Sequence, residues 1–273
     1  MKNEVIHWID LDYTLWETSA MWWIVDKNNP SKYLVRVPQH EAYLIMSGHY
    51  AGANHKIYYN GIDGWLSNEL WNKIQQIKSI DAENLGISWR EYINIDLIEK
   101  QTENLIIHID RIKHLSGTKD VINLLTARGN KKGHELLIKT LREHLEKHNI
   151  HIKDEYFVGD PTVINMAISS SEKKMLCILQ NIVGYKIKDN HFEPIVMDKY
   201  DISNFYDDED RNIEECLNIN MWLKKYLENT IPWLKQKIEE SISMRKPKLI
   251  LNVVTSNELN PFMVQEVDIK INI

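Results

Sequence analysis

The sequence predicts an α/β protein: a doubly wound, mostly parallel sheet with a small β-rich cap insertion after the first strand. Three observations predict it. Short apolar runs alternate with amphipathic helical stretches, acidic or hydroxyl residues stand where several of those runs end, and an aromatic-rich segment of alternating pieces separates the first run from the first helix. The 273 residues are 43% hydrophobic, enough apolar surface for one large domain or a core domain with an insertion.

Val5-Ile6-His7-Trp8-Ile9 reads as a buried parallel strand, because it is nearly continuously apolar, and it delivers Asp10 and Asp12 at its C-terminal end. Open α/β sheets bind their ligands at that edge. The aromatic stretch from Trp16 through Trp22-Trp23 to Trp65 contains the alternating pieces Tyr33 to Val37 and His55 to Tyr59, with Asn60-Gly61 and Asp63-Gly64 expected as turns. Helical spacing begins at Ser67 with Leu70, Ile74 and Ile77, and a longer helix is expected from about Ser88 to Leu115, ended by Gly117.

Val121 to Leu125 is the second core strand and runs into Thr126-Ala127-Arg128-Gly129. An amphipathic helix follows from Lys132 to Lys147, then a strand at Tyr156-Phe157-Val158 and a serine-capped helix from Ser171 to Val183. Ile202 to Tyr206 is the fourth strand, ending at Asp207-Asp208-Glu209-Asp210-Arg211. A helix from about Ile213 to Ile242, broken near Pro232, precedes two strand-like runs, Leu249 to Thr255 and Met263 to Ile273, that add a hairpin or an edge. The expected organisation is a core domain over residues 1–245, an insertion at about 17–86 and a strand-rich extension over 246–273.

The net charge of -6 argues against broad electrostatic binding of nucleic acid and leaves small anionic substrates and nucleic-acid ends open. Cys177 and Cys216 both fall in apolar helical patterns and read as buried thiols, with no disulfide framework or cysteine zinc site. The opening residues lack the pattern of a signal peptide, and no apolar run is long enough to span a bilayer, so a soluble cytoplasmic protein is expected.

Asp10 and Asp12 lie one residue apart, and residues i and i+2 of a strand share a face. Two like charges in one pocket call for a cation, and magnesium takes one or two carboxylates together with phosphate oxygens. Asp207, Asp208 and Asp210, after another strand, would complete such a site. Thr126 offers a hydroxyl to a phosphate oxygen, and a lysine near the start of the helix before Val183 would neutralise transferring charge. Arg128 and Arg211 read equally well as phosphate contacts and as structural ion-pair partners. Trp16, Trp22, Trp23 and Trp65 read as the core of a small subdomain in preference to a base-stacking surface, and His7, His49, His55 and His108 lack zinc-ligand spacing and read as structural.

These features resemble the haloacid dehalogenase (HAD) superfamily over roughly Val5 to Ile242. Its first motif, a strand followed by Asp-x-Asp-x-Thr, is matched by Asp10, Asp12 and Thr14; its strand-end Thr by Thr126; its helix lysine by Lys174, with Lys173 the alternative; and its acidic pair by Asp207 and Asp208. A closer likeness is to the HAD domain called Swiss Army Knife RNA repair-like, through Thr14-Leu15-Trp16-Glu17-Thr18, Trp22-Trp23, Trp71-Asn72, Leu124-Leu125-Thr126-Ala127-Arg128 and Tyr206 to Arg211. The extra acids leave Asp208 or Asp210 as metal ligands in place of Asp207.

The resemblance implies a HAD-like, Rossmannoid core and a Mg2+-dependent phosphohydrolase. Asp10 would attack phosphorus, Asp12 would serve as acid and then base, and magnesium would sit among Asp10, the carbonyl of Asp12, Asp207 and Asp208. Thr126 and Lys174 would hold the phosphoryl oxygens, Thr14, Arg128 and Arg211 would line the substrate site, and the insertion would choose the substrate. The expected substrate is a nucleotide or a nucleic-acid phosphate end. Alternatives are a small-molecule phosphatase and a noncatalytic binding scaffold, the latter disfavoured because a scaffold does not need both Asp10 and Asp12. No membrane partner is expected, and the sequence leaves the oligomeric state open.

Overall fold

Five parallel strands and one antiparallel edge strand form the central sheet of the computed structural model. It describes residues 4–17, 21–38, 41–42, 44–45, 55–59, 62–88, 91, 106–115, 119–129, 131–166, 168–254 and 262–271. In chain order the strands are β1 (Val5–Ile9), β2 (Trp16–Glu17), β3 (Trp22–Asp26), β4 (Asn29–Val37), β5 (His55–Tyr59), β6 (Ile62–Leu66), β7 (Leu85–Ser88), β8 (Ile106–Ile107), β9 (Val121–Thr126), β10 (Ile152–Phe157), β11 (Tyr185–Lys188), β12 (His191–Val196), β13 (Ile202–Asp207), β14 (Lys248–Val253) and β15 (Phe262–Asp268). The helices are α1 (Asn68–Ile77), α2 (Glu135–Glu146), α3 (Ser170–Val183), α4 (Asp210–Leu217), α5 (Ile219–Asn229) and α6 (Pro232–Arg245). The result is a mixed α/β protein with a mostly parallel sheet. No helix among the described residues is long and apolar enough to cross a membrane.

The chain divides into one unit of Met1–Thr18 with Leu105–Ile273 and a second of Ser19–Asn104. In the first, the strand order is β10-β9-β1-β13-β14-β15. Successive strands step outward from β1 to one side, then return to β13 and step outward on the other. β1 and β9 are buried along almost their whole length, as strands with both faces covered must be, which explains their uninterrupted apolar runs. The core around them gathers Trp8, Leu125, Phe205 and Leu251 from the sheet with Met175, Ile178, Leu179 and Ile182 of α3. A capping box between Ser169 and Glu172 starts α3, and Gly184, at φ 75°, ends it in the left-handed conformation that glycine adopts freely.

The second unit has its own core, in which Ile24, Val35, Val37, Ile57, Leu66, Leu70, Ile74 and Ile87 meet and Trp22 and Trp71 pack against them. β4-β3-β7 form one sheet and β5-β6 another. Ser67 caps α1 through its hydroxyl. Trp23 packs instead on Tyr33 and Arg36, and its ring N–H donates to Glu91. The four tryptophans thus do not form one core: Trp22 packs on the core of this unit, Trp23 on the Glu91-centred polar cluster, Trp65 lies under Lys56, and Trp16 belongs to β2 of the first unit.

Several expectations need correction. Asp63-Gly64 is not a turn but lies inside β6; a Cβ on Gly64 would crowd Ile45 and Ile57 at 3.1 Å, so the glycine serves close packing. The helix expected from Ser88 to Leu115 is absent from its described part. Ser88 ends β7, Ile106–Ile107 pairs with Trp16–Glu17, and short 3-10 turns occupy Ile109–Arg111 and Lys113–Leu115. Ladder pairing there overrides a helical spacing of apolar residues, and residues 92–105, Asn60-Gly61, His49 and Gly117 lie outside the described residues. The helix expected from Ile213 to Ile242 is broken at Asn218 as well as before Pro232. The tail, by contrast, forms the hairpin and edge that its two strand-like runs predict: β14 lies parallel to β13, and β15 pairs antiparallel with β14 to close the edge. The hairpin β11-β12 went unread, although its turn, Asp189-Asn190 with φ 45° and 63°, is of the residue type that left-handed hairpin turns select.

Candidate functional site

Parallel pairing carries the ends of β1, β9 and β13 to one edge of the sheet. Ile9 aligns with Leu124 on one side and Tyr206 on the other, so Asp10, Thr126 and Asp207 emerge together. The strand order reverses between β1 and β13, the kind of position at which open α/β sheets bind their ligands.

Asp10, Asp207 and Asp208 present carboxylate oxygens within 4.8 Å of one another. Asp10 is 5% exposed and Asp207 fully buried. Between them stands Lys174, 2% exposed, whose Nζ donates to Asp10 Oδ1 at 2.6 Å and Asp207 Oδ2 at 2.7 Å. Burial opposes the lysine's charge, yet the two aspartates hold its pKa above the ordinary range. Burial pushes the Asp10 carboxyl well above the carboxylate range despite the pull of Lys174. Burial and then the charge of Asp207 push Asp208 up to about 7.

Asp207 is tethered by Asn212 Nδ2 at 2.9 Å and by the backbone N–H of Glu209 at 3.0 Å. Thr14 Oγ1 donates to Asp208 Oδ1 at 3.0 Å. Thus Lys174 rather than the partly exposed Lys173 enters the cluster, and Asp207 with Asp208 rather than the exposed Asp210 joins Asp10. The donor set fits a hard divalent cation: three convergent carboxylates against one lysine leave excess negative charge, and all the ligand atoms are oxygens.

Asp12 is not in that cluster. Arg128, 4% exposed, donates Nη2 to Asp12 Oδ1 at 2.6 Å and Nε to Oδ2 at 2.9 Å, a two-pronged grip that fixes the carboxylate's plane. The side chain of Asp12 is therefore gripped by Arg128 and does not share the pocket of Asp10; the atom expected at the metal is its backbone carbonyl. The Arg128 backbone N–H donates to Thr126 Oγ1 at 3.2 Å. The Arg128 loop lies against Gly159, where a Cβ would come within 2.5 Å of the Ala127 carbonyl, so this approach requires glycine. Arg211 is exposed on the first turn of α4 and is not brought into the buried cluster.

Sequence reasoning missed three residues. Asn212 follows the acidic run on α4, and its polar side chain early in a helix was the available signal. His134, fully buried and stacked on Phe157, lies beside Arg128 and Asp12; burial, then Arg128, lower its pKa to about 4. Arg111 donates to the backbone carbonyls of Tyr13 and Thr14. No local pattern marks either residue. No family model matches the chain, and neither a curated protein nor a solved structure does.

The raised carboxyl of Asp208 makes a pH prediction. Its ordinary value is 3.8, so the folded chain holds this proton more tightly than the unfolded one. Its contribution to stability is full below that value and is lost as pH rises through about 7. Without metal, the melting temperature is expected to fall between pH of about 4 and about 7 and to level off above that, and the increment given by millimolar Mg2+, which favours the ionised carboxylate, to grow over the same interval. Asp208→Asn should flatten both trends in thermal melts with Mg2+ or with EDTA. A magnesium increment independent of pH in the native protein would contradict this.

Proposed function

We propose that this chain is a Mg2+-dependent phosphohydrolase of the haloacid dehalogenase superfamily, close to its Swiss Army Knife RNA repair-like domain, acting on a nucleotide or a nucleic-acid phosphate end. The observation that carries the reading is the Asp10, Asp207 and Asp208 cluster, bridged by Lys174, at the C-terminal edge of a parallel sheet whose strand order reverses there. The doubly wound, Rossmannoid description of the core belongs to this proposal, as do the four sequence motifs.

Asp10 supplies the nucleophile. One of its oxygens forms a bond to phosphorus as the ester P–O bond breaks, giving an aspartyl-phosphate, and Asp12 gives a proton to the departing oxygen. Asp12 then takes a proton from water as that water attacks phosphorus. Inorganic phosphate leaves and Asp10 is regenerated. Arg128 fixes the orientation of Asp12 for both transfers. Lys174, which donates to Asp10, and Thr126, whose hydroxyl accepts from the Arg128 N–H, would hold the phosphoryl oxygens. Asp10, Asp207 and Asp208 would hold magnesium, which when bound offsets negative charge as an anionic nucleophile meets an anionic substrate.

Phosphate release from nucleotides, sugar phosphates, an aryl phosphate and 3′-phosphorylated oligonucleotides, each with Mg2+ or EDTA, tests the reading. Turnover that requires Mg2+ and is fastest on nucleotides or oligonucleotide ends supports it. Preference for sugar phosphates would move it to a small-molecule phosphatase, a reading the net charge of -6 favours. No turnover on any member would favour a binding scaffold.

A further inference from the structure

We propose that Arg111 is the positioning residue of the loop that carries the nucleophile, holding the backbone at Tyr13 and Thr14 so that Asp10 and Asp208 stay in metal-binding register. This rests on the reading of Asp10, Asp207 and Asp208 as a magnesium site.

Arg111 lies almost a hundred residues beyond the loop it contacts, on the 3-10 turn Ile109–Arg111, and is 5% exposed. Its Nη1 donates to the carbonyls of two successive loop residues, Tyr13 and, at 3.0 Å, Thr14. Tyr13 sits at φ 59°, a left-handed conformation that a side chain with a Cβ adopts at a cost, so the loop needs outside restraint to keep it. The next residue, Thr14, passes the restraint on, because its hydroxyl donates to Asp208 Oδ1. On the other side, the N–H of Leu15 donates to the Leu11 carbonyl at 3.0 Å, and the N–H of His108 donates to the Leu15 carbonyl. The β2-β8 ribbon continues this contact, with Trp16 opposite Ile107.

The buried guanidinium therefore reads two adjacent carbonyls of a strained turn whose neighbours are Asp12 on one side and the Thr14–Asp208 hydrogen bond on the other. The two N–H groups of Nη1 reach both carbonyls in directions fixed by the planar guanidinium, whereas a lysine ammonium sits at the end of a flexible stem with no fixed plane. Groups that orient metal ligands from behind typically change metal affinity by about tenfold or more when removed.

A purely structural role would lower stability alone, and a second arginine supplies the comparison. Arg245 also donates to two backbone carbonyls, Tyr200 at 3.1 Å and Ile182 at 2.6 Å, but at the opposite end of β13 from Asp207. Mg2+ titrated calorimetrically into the full chain, beside thermal melts, compares the native protein with Arg111→Lys, Arg111→Met and Arg245→Met. Arg245→Met is expected to lower the melting temperature while leaving the Mg2+ Kd within about twofold. Arg111→Lys should weaken Mg2+ binding about tenfold while still folded, and Arg111→Met more. If Arg111→Met does not fold, Arg111→Lys decides. A Kd unchanged in Arg111→Lys, with native binding intact, overturns the positioning role alone. Absence of Mg2+ binding by the native protein overturns the magnesium reading, and this inference with it.

Discussion

Replacing Asp10 by asparagine is expected to lower phosphate release by roughly four orders of magnitude or more while leaving the fold intact. The amide keeps the size of the carboxylate, but its oxygen is a far weaker nucleophile and cannot form the acyl-phosphate. The stability side of this prediction is as informative as the rate. Asp10 is one of three buried carboxylates facing one lysine, and burial already drives its carboxyl towards the neutral form. Removing its charge relieves repulsion with Asp207 and Asp208, while Lys174 keeps its bond to Asp207 at 2.7 Å. The metal-free variant should therefore melt no lower than the native protein, and Mg2+ should stabilise it less. A variant that loses activity because it unfolds would not carry the conclusion, and the melt separates the two cases.

Lys174→Met should have the largest effect on stability. A methionine fills most of the lysine's volume but leaves Asp10 and Asp207 buried without their common counter-ion. Breaking a buried pair by removing one partner costs about 3–5 kcal/mol, which for a chain of this size lowers the melting temperature by roughly 10 °C. Two outlets soften the loss: Asp10 takes up a proton, or a cation replaces the ammonium. Mg2+ is accordingly expected to raise the melting temperature of Lys174→Met more than that of the native protein. Turnover should stay low even when Mg2+ restores stability, because the lysine also faces the phosphoryl oxygens in the proposed reaction. Equal stabilisation of both proteins by Mg2+ would argue that the metal does not share Lys174's carboxylates.

Much of this site could be read from the chain because its parts are local. An apolar run that ends in two carboxylates is a property of adjacent residues, and the edge of the sheet to which it delivers them follows from parallel pairing alone. Thr126 and the acidic run after β13 were legible in the same way, but which of Asp207, Asp208 and Asp210 joins Asp10 was not, because that depends on how the chain turns into α4. The choice between Lys173 and Lys174 was not, since it depends on the rotation of α3 about its axis and neighbouring helical residues differ by about 100°. Asp12 and Arg128 are 116 positions apart, and nothing near either residue specifies that they meet. Arg111 was hidden for a further reason. The apolar spacing around it reads as a helix, whereas Ile106–Ile107 is held in a strand by Trp16–Glu17, a partner that only the folded chain brings close. In the tail, the strands themselves were visible, but their place in the main sheet was decided by long-range pairing with β13.

The central claim is that Asp10 carries the phosphoryl group during turnover, and its most direct test is to look for that group. Protein turning over an aryl phosphate with Mg2+ would be quenched in acid, which preserves acyl-phosphates, then digested and mapped by mass spectrometry. A phosphoryl group on the peptide containing Asp10, localised to that residue and absent from Asp10→Asn, is the expected result. Turnover with no phosphoryl adduct, or with the adduct on Asp12 or any other residue, would contradict the account.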